Sequence, residues 1–493
     1  MPYRHVMLWT DVLVWLLVAC AIGFAWYVAQ REHLRAPWRK VTRSRYGMSA
    51  LVVLVVFLAI GLLDSIHYRE RLDTHQANGA ANYAANYSVE VLSLFDKLTG
   101  RLRNKPERTY SAPLAAYAFA KENVTRPDGT LAREFPRLRH GGAHLTDPAA
   151  QLRADVLRKT LAGTGLAVAL WIALTMLLAA WLAARHERTF GATLTDIIHG
   201  RTEVPWRHML ITAGLVLAVA CPIAVLSGYY HVLGTDKVGQ DVLYQTLKSI
   251  RTGLVIGTLT TLVMLPFALL LGLMAGYFRG WIDDVIQYLY TTFSSIPGVL
   301  LIAAAVLAGQ AVMDRYADLF ETVSERADVR LLFLCMILGI TSWTGLCRLL
   351  RGEALKLREM DYVQAARAFG VPDWRIINRH LLPNVMHIVL IAIVMDFSGL
   401  VLAEAVLSYV GVGVDPSMIS FGTMINNARL ELAREPMVWW SLAAAFVFMF
   451  LLVLSANLFS DAVRDAFDPR IRTGWSLFLP YRSRPALAVA PRQ

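Results

Sequence analysis

Hydrophobic and polar positions along this chain are sorted into blocks. Stretches of about twenty residues are apolar on every side, with no period that would leave one face wet. That is the length a helix needs to cross a hydrocarbon layer about 30 Å thick. Nine such blocks lie near residues 8–29, 48–66, 161–184, 209–227, 249–276, 285–309, 330–349, 386–408 and 437–459. They predict nine transmembrane helices and an all-α polytopic membrane protein. One sizeable polar segment, 67–160, separates the second block from the third. It holds the turn signals Asn78-Gly79, Pro127-Asp128-Gly129 and Gly141-Gly142, and short amphipathic runs such as Val89 to Leu102. This pattern predicts a small, mostly helical domain inserted between two spans.

Charge adds orientation. The formal net charge of +11 would raise the question of nucleic acid in a soluble protein. Here the basic residues collect in loops. Arg31, Arg35, Arg39, Lys40, Arg43 and Arg45 follow the first block, with only Glu32 against them. Arg185, Arg188, Arg201 and Arg207 follow the third, and the stretch 348–379 is basic as well. Alternating nine spans puts these three loops on one side, which the positive-inside rule makes cytoplasmic. The N-terminus and the 67–160 segment then lie outside, and the C-terminus inside. No basic run carries an aromatic stacking face, so no nucleic-acid partner is expected. Cys20, Cys221, Cys335 and Cys347 all sit in apolar spans without a CxxC pair. They read as small apolar fillers, not as disulfides or metal ligands. The first block ends in a basic cluster and not in a small-residue cleavage site, so it reads as an anchored helix.

The stretch 350–384 is the most informative. Asp361-Tyr362-Val363-Gln364-Ala365-Ala366-Arg367-Ala368-Phe369-Gly370 is followed by Val371-Pro372-Asp373-Trp374 and then by Arg379-His380-Leu381-Leu382-Pro383-Asn384. The pattern predicts helix, break, helix, stop. Gly370 suits a left-handed C-terminal cap, Pro372 the first turn of a second helix, and Pro383 its end. Val363, Ala365, Ala366 and Phe369 fall close together as a knob that fits a groove on another protein. The alternative is an ordinary membrane-surface hairpin.

The spacing resembles the EAA loop of ABC importer permeases: Glu-Ala-Ala, three residues, Gly, nine residues, Ile-x-Leu-Pro. Ala365, Ala366, Gly370, Leu382 and Pro383 fall in register, while Gln364 replaces the usual Glu and His380 the Ile. Further segments resemble the dipeptide and oligopeptide permeases of the C type. His231-Val232-Leu233-Gly234-Thr235-Asp236 with Gly239-Gln240-Asp241-Val242-Leu243 is similar to HPLGTDxxGRDVL. Leu407-Ser408-Tyr409-Val410-Gly411-Val412-Gly413-Val414 is similar to LSFLGLGV. Asn457-Leu458-Phe459-Ser460-Asp461 through Arg464-Asp465-Ala466-Phe467-Asp468-Pro469-Arg470 is similar to the family's ending.

The resemblance implies a six-helix permease core over 209–470 with a coupling loop at 350–384. Before it stand two helices in 1–66, a periplasmic insertion in 67–160, and a third helix with its loop in 161–208; a cytoplasmic tail follows in 471–493. It implies an importer for dipeptides or oligopeptides working by alternating access in a bacterial inner membrane. The partners implied are a homologous second permease, one or two cytoplasmic ATPase subunits and a periplasmic solute-binding protein. Gln364, Ala365, Ala366, Phe369, Gly370 and Pro383 would couple to the ATPase. No phosphate-binding loop, zinc motif or nucleophile elbow occurs in the sequence, so ATP and Mg are expected on partner chains and no enzyme activity or cofactor on this one. The same machinery also serves nickel, an oligosaccharide or an antimicrobial peptide. A membrane sensor or an intramembrane hydrolase are the readings from other classes; the first needs a cytoplasmic signalling domain, the second a catalytic constellation within the spans.

Polar residues inside the spans complete the picture. Gly272 and Gly276 form a GxxxG that marks close helix packing. Gln287, Thr291, Ser294 and Ser295 form a stripe that either bonds a neighbouring helix or lines a wet cavity, and Pro297 is expected to kink their helix. Asp396 falls near the bilayer midplane with Ala392, Gly399 and Ala403 on its face. It either bonds a hydroxyl on the next helix or lines the translocation path, together with Gln287, Thr291 and Ser294. Glu404, Gly411 and Gly413 are expected at a periplasmic gate.

Overall fold

The computed structural model describes residues 3–71, 87–125, 131–316 and 322–467. Among them, nine helical stretches are long and apolar enough to cross a membrane. The chain opens with strand β1 (Tyr3–Val6), helix α1 (Trp9–Gln30), a short α2 (Glu32–Val41) and α3 (Arg45–Asp64). Ser44 caps α3 by accepting a hydrogen bond from the Gly47 amide.

The 67–160 segment departs from expectation. Among its described residues it is not mostly helical. It contributes β2 (His67–Glu70), β3 (Leu92–Ser93), two short helices α4 (Leu94–Leu98) and α5 (Gly100–Arg103), and a hairpin of β4 (Glu122–Thr125) with β5 (Leu131–Glu134). Sheet order is β1-β2-β3, so the N-terminal strand completes a sheet with the insertion. The pairing of Tyr3 with Glu70 joins residues far apart in sequence, which local periodicity does not report. The N-terminus and the insertion therefore lie on one side of the helical layer. Asn78-Gly79 and Pro127-Asp128-Gly129 lie outside the described residues.

The long helix α6 (Pro148–His186) starts at an Asp147 cap; α7 (Phe190–His199) ends at Gly200, and α8 (Trp206–Leu226) returns. Helix α6 packs on α8. A Cβ on Gly163 would stand 2.5 Å from the backbone of Pro222, so only glycine allows this approach.

The remaining helices are α9 (Val242–Phe278), α10 (Trp281–Ser295), α11 (Gly298–Arg315), α12 (Val323–Ser342), α13 (Thr344–Arg358), α14 (Asp361–Ala368), α15 (Asp373–Ile376), α16 (Leu382–Val410), α17 (Phe421–Glu431) and α18 (Trp440–Phe467). Helix α9 is the hub, contacting α3, α12, α13 and α16. The GxxxG does mark close packing: Cβ atoms on Gly272 and Gly276 would fall 2.8 Å from Leu350 Cβ and 2.5 Å from Ala354 Cβ of α13. Helix α3, predicted as an extra, is wedged into the core against α8, α9 and α18.

Two proline expectations need correction. Pro297 does more than kink a span over 285–309: it separates α10 from α11. Ile296 before it is extended, as a residue preceding proline prefers, and α11 alone is long and apolar enough to span. Pro383 does not end the second hairpin helix. A π turn over Ile377–Leu381 joins α15 to α16, so the column runs continuously over Asp373–Val410. The wider turn accommodates a proline that cannot donate. The ending Asp468-Pro469-Arg470 and the tail 471–493 lie outside the described residues.

Candidate functional site

The hairpin closes one end of the helical layer. Helix α14 ends at Gly370, whose φ of +72° is the left-handed cap expected of it. Pro372 is the residue just before α15 and not within its first turn. Tyr277 at the end of α9 donates to Asp373 Oδ1 at 2.5 Å, Arg358 donates to the Tyr277 carbonyl at 2.8 Å, and Arg279 pairs with Glu359 at 2.6 Å. These contacts fix the hairpin on α9.

The hairpin's faces are divided. Val363 is buried and Ala366 half-buried, packed into a cluster with Ile376, Ile377 and Leu381. Phe369 and Trp374 stand out, 87% and 63% exposed. Gln364 and Ala365 are also exposed. Gln364 Nε2 donates to the Glu359 carbonyl at 3.3 Å, so the residue at the usual Glu position is tied back to α13's C-terminus. Pro383 lies in the first turn of α16.

The polar stripe on α10 meets α13. Arg351 holds Asp283 with two hydrogen bonds of 2.6 and 2.8 Å, and Arg348 donates to Ser294 Oγ at 2.9 Å. Gln287 bonds Asp283 on its own helix. Thr291 is exposed. Among the stripe residues, Ser294 bonds the neighbouring helix, while Gln287 and Ser295 bond within α10. The signal for Arg351 and Arg348 was their place one turn apart beside the hairpin.

Asp396 is half-buried on α16, and no hydroxyl or cation pairs with it among the described residues. The neighbouring Gly399 is exposed, and a Cβ there would meet nothing within 4 Å. Among the described residues, this face of α16 is left open at Gly399. Glu404 is the opposite: 1% exposed, it accepts from Ser408 Oγ at 2.7 Å and from Ser420 Oγ at 2.8 Å. It ties α16 to the start of α17. Gly411, with φ of +88°, is the left-handed cap of α16, and Gly413 lies so close that a Cβ would fall 1.9 Å from Ser408 Oγ.

A second cluster was not anticipated. The loop 231–241 receives the insertion. Ser111 and Thr235 exchange hydrogen bonds, Glu107 donates its amide to the Gly239 carbonyl at 2.9 Å, and Trp440 Nε1 donates to the Thr235 carbonyl at 3.0 Å. Gly234 and Gly239 both have positive φ, and Cβ atoms there would fall 2.5 and 2.0 Å from the Ser111 and Glu107 carbonyl oxygens. At the centre, buried His231 bonds Asp241 Oδ2 through Nδ1 at 2.7 Å and faces Glu107 Oε1 at 3.4 Å, an ion-pair distance. Glu107 also accepts from the amides of Arg139, His140 and Gly141. Burial works against a charged imidazolium, but the Asp241 and Glu107 carboxylates outweigh it and raise the His231 pKa to about 9. Burial likewise opposes the Glu107 carboxylate, yet His231 and the three amides bring its pKa down to about 2. Glu107 lies in the insertion, where the sequence carries no recognised motif.

The family described as "Binding-protein-dependent transport system inner membrane component" matches residues 268–473. The chain is 31% identical over 323 residues to the glutathione transport system permease protein GsiD of Pectobacterium atrosepticum, covering 59% of this chain and 100% of that one. It is 32% identical over 246 residues to the oligopeptide transport system permease protein OppC of Mycobacterium tuberculosis, covering 50% of this chain and 78% of that one. The dipeptide transport system permease protein DppC of Lactococcus lactis is 30% identical over 241 residues, covering 49% and 64%. With nine candidate spans among the described residues, the hairpin at their end and a relative covered from end to end, the chain belongs to the binding-protein-dependent transport system inner membrane components, as a multi-pass permease subunit of an ABC importer.

Proposed function

We propose that this subunit imports dipeptides, oligopeptides or a close relative such as glutathione, by alternating access driven by separate ATPase subunits. The relatives named above carry solutes of this class. The observation that carries the mechanism is the outward pair Phe369 and Trp374 on a hairpin braced against α9. Two exposed aromatics on a fixed, basic end of the layer suit a protein groove. Exposed Gln364 and Ala365 would flank that contact, with Gly370 shaping the turn, Ala366 packing beneath it and Pro383 carrying motion into α16.

In this reading a homologous permease covers the open face of α16 around Asp396 and Gly399, and the translocation path runs along it. Gln287, Thr291 and Ser294 would border the path, Ser294 held by its bond to Arg348 of α13, and Glu404, Gly411 and Gly413 would hold the gate region in shape. A solute-binding protein delivers cargo on the side of the insertion, which is periplasmic, as is the N-terminal strand paired with it. The C-terminus is cytoplasmic. One or two ATPase subunits hold ATP and Mg.

The test is uptake by the complete complex in vesicles, with its binding protein, comparing labelled dipeptide, oligopeptide, glutathione, nickel and an oligosaccharide. Saturable ATP-dependent uptake of the peptide class alone is expected. Uptake of nickel or sugar in its place overturns the cargo. Reporter fusions within 67–160 should read periplasmic and near Arg188 and Gly370 cytoplasmic; the reverse overturns the orientation.

A further inference from the structure

A cavity of about 390 Å³ opens where α3 and α8 begin, on the side opposite the insertion. Its wall contains Arg43, Arg45, Arg207, His199 and His208, against one carboxylate, Glu203. Glu203 reaches only Arg43, at 3.6 Å, and both side chains are largely exposed, so the pair is weak. Arg45 and Arg207 have no ion pair or hydrogen-bond partner among the described residues. Two unneutralised guanidiniums thus face one pocket, in the fork geometry that suits phosphate oxygens.

The position tells which phosphate. Arg45 is the first residue of α3 and Arg207 the second of α8, both membrane spans, so the cavity lies at headgroup level. Tyr46 beside it is 80% exposed, as interfacial aromatics are. From the cavity a ridge of exposed apolar residues runs along α8: Ile211, which lines the pocket, then Leu215 and Val219, at 49%, 64% and 60% exposed. Four-residue spacing puts them in one row. A free phosphate would use the arginines and leave the row bare. A lipid uses both, with its headgroup in the pocket and an acyl chain along the row.

We propose that this cavity binds the phosphate headgroup of an anionic membrane lipid, held chiefly by Arg45 and Arg207. The site joins α3, which is wedged into the permease core, to α8, which carries α6. An occupied pocket would therefore brace the N-terminal helices on the core.

The test uses the assembled complex. After a detergent wash, bound phospholipid is extracted and quantified for the parent, for R45Q/R207Q and for R45K/R207K. Phosphatidylglycerol should remain on the parent, fall roughly tenfold on the glutamine pair and be largely kept on the lysine pair. A second arm measures thermal unfolding with added phosphatidylglycerol, phosphatidylcholine or inorganic phosphate. Only phosphatidylglycerol should raise the midpoint, and only where residue charge is kept. Equal lipid retention in parent and glutamine pair, equal effects of the two lipids, or a shift by inorganic phosphate matching that of the lipid would each overturn the proposal.

Discussion

Arg251 of α9 donates to the Asp11 carboxylate of α1 at 2.6 Å, deep inside the protein. The same guanidinium reaches Ser65 Oγ at 3.3 Å and Thr10 Oγ1 at 3.1 Å, and stands 3.9 Å from Asp328 of α12. Asp11 in turn bonds His67 Nδ1 at 2.7 Å. A residue of the permease core thus holds the first of the additional helices by a buried charge network.

Removing one side of such a network is costly, because it leaves an uncompensated charge in a poor solvent. Asp11→Asn should destabilise the purified complex by about 3 kcal/mol, and Asp11→Ala by more. Limited proteolysis should then cut between α1 and α3 before the core is attacked. An unfolding midpoint within error of the parent for both variants would show that α1 is held by its apolar contacts alone.

The His231 cluster gives a pH dependence whose sign follows from the two shifts. The His231 pKa is raised from 6.5 to about 9, so its contribution is complete below about pH 6.5 and lost as pH rises through about 9. The Glu107 pKa is lowered from 4.5 to about 2, so its contribution is complete above about pH 4.5 and lost as pH falls through about 2. Between these limits the insertion should stay docked. Amide exchange of Arg139, His140 and Gly141, which bond Glu107, should accelerate above about pH 9 beyond the intrinsic base-catalysed rate. His231→Gln should remove that extra step and weaken docking at neutral pH by up to about 3 kcal/mol. A parent profile that follows intrinsic exchange through pH 10 would place the charge of the cluster elsewhere.

What the sequence made legible was what is local. Runs of apolar residues located the spans apart from 285–309, which Pro297 divides, and the paired glycines 272 and 276 were readable because close helix packing leaves few other choices of residue. The hairpin was legible through Gly370, since a left-handed cap has a strong residue preference. Distant pairings were not. Nothing in Tyr3–Val6 announces a strand partner at His67–Glu70, and nothing in Glu107 announces His231. Periodicity also groups residues on a face without saying where that face points. Val363, Ala366 and Phe369 are close on the helix, yet Val363 and Ala366 turn inward and Phe369 turns outward.

That division changes how the hairpin's proposed coupling role is probed. Phe369 is almost fully exposed, so Phe369→Ala should leave the stability of the isolated subunit unchanged within about 0.5 kcal/mol. In the complex it should weaken the ATPase contact by about 2 kcal/mol or more, as an aromatic anchor does, and slow transport to match. Ala366→Asp strikes a half-buried site in the subunit's own cluster, so it should lower stability as well as coupling. Titrating ATPase subunits onto detergent-purified permease separates the two effects. Parental affinity and transport in Phe369→Ala would move the docking contact off this residue.

Asp396 offers the sharpest choice between a path and a packing role. It lies about 15 Å into the span that continues from the hairpin, counted from Met386, close to the midplane. An acid at that depth costs about 2.5–3.5 kcal/mol on insertion scales unless protein or water receives it. Packing within the subunit would supply a donor, and among the described residues none is in place. Among the described residues the face it shares with Gly399 is open, which leaves room for water, solute or a second permease to meet the carboxyl. In contact with a cationic group, such as a peptide amino terminus, Asp396→Asn removes the charge and keeps the shape. Import of solutes with a free amino terminus should then fall roughly tenfold, equivalent to about 1.4 kcal/mol, while amino-blocked solutes are less affected. Asp396→Ala should slow both classes, because the side chain is gone as well. Both variants should assemble and retain ATPase activity, since the site is remote from the hairpin's exposed aromatics. Were the second permease the receiver, both variants would impair assembly itself, visible as loss of the heteromeric complex before any transport is measured. Parental import and assembly in both variants would remove Asp396 from the path.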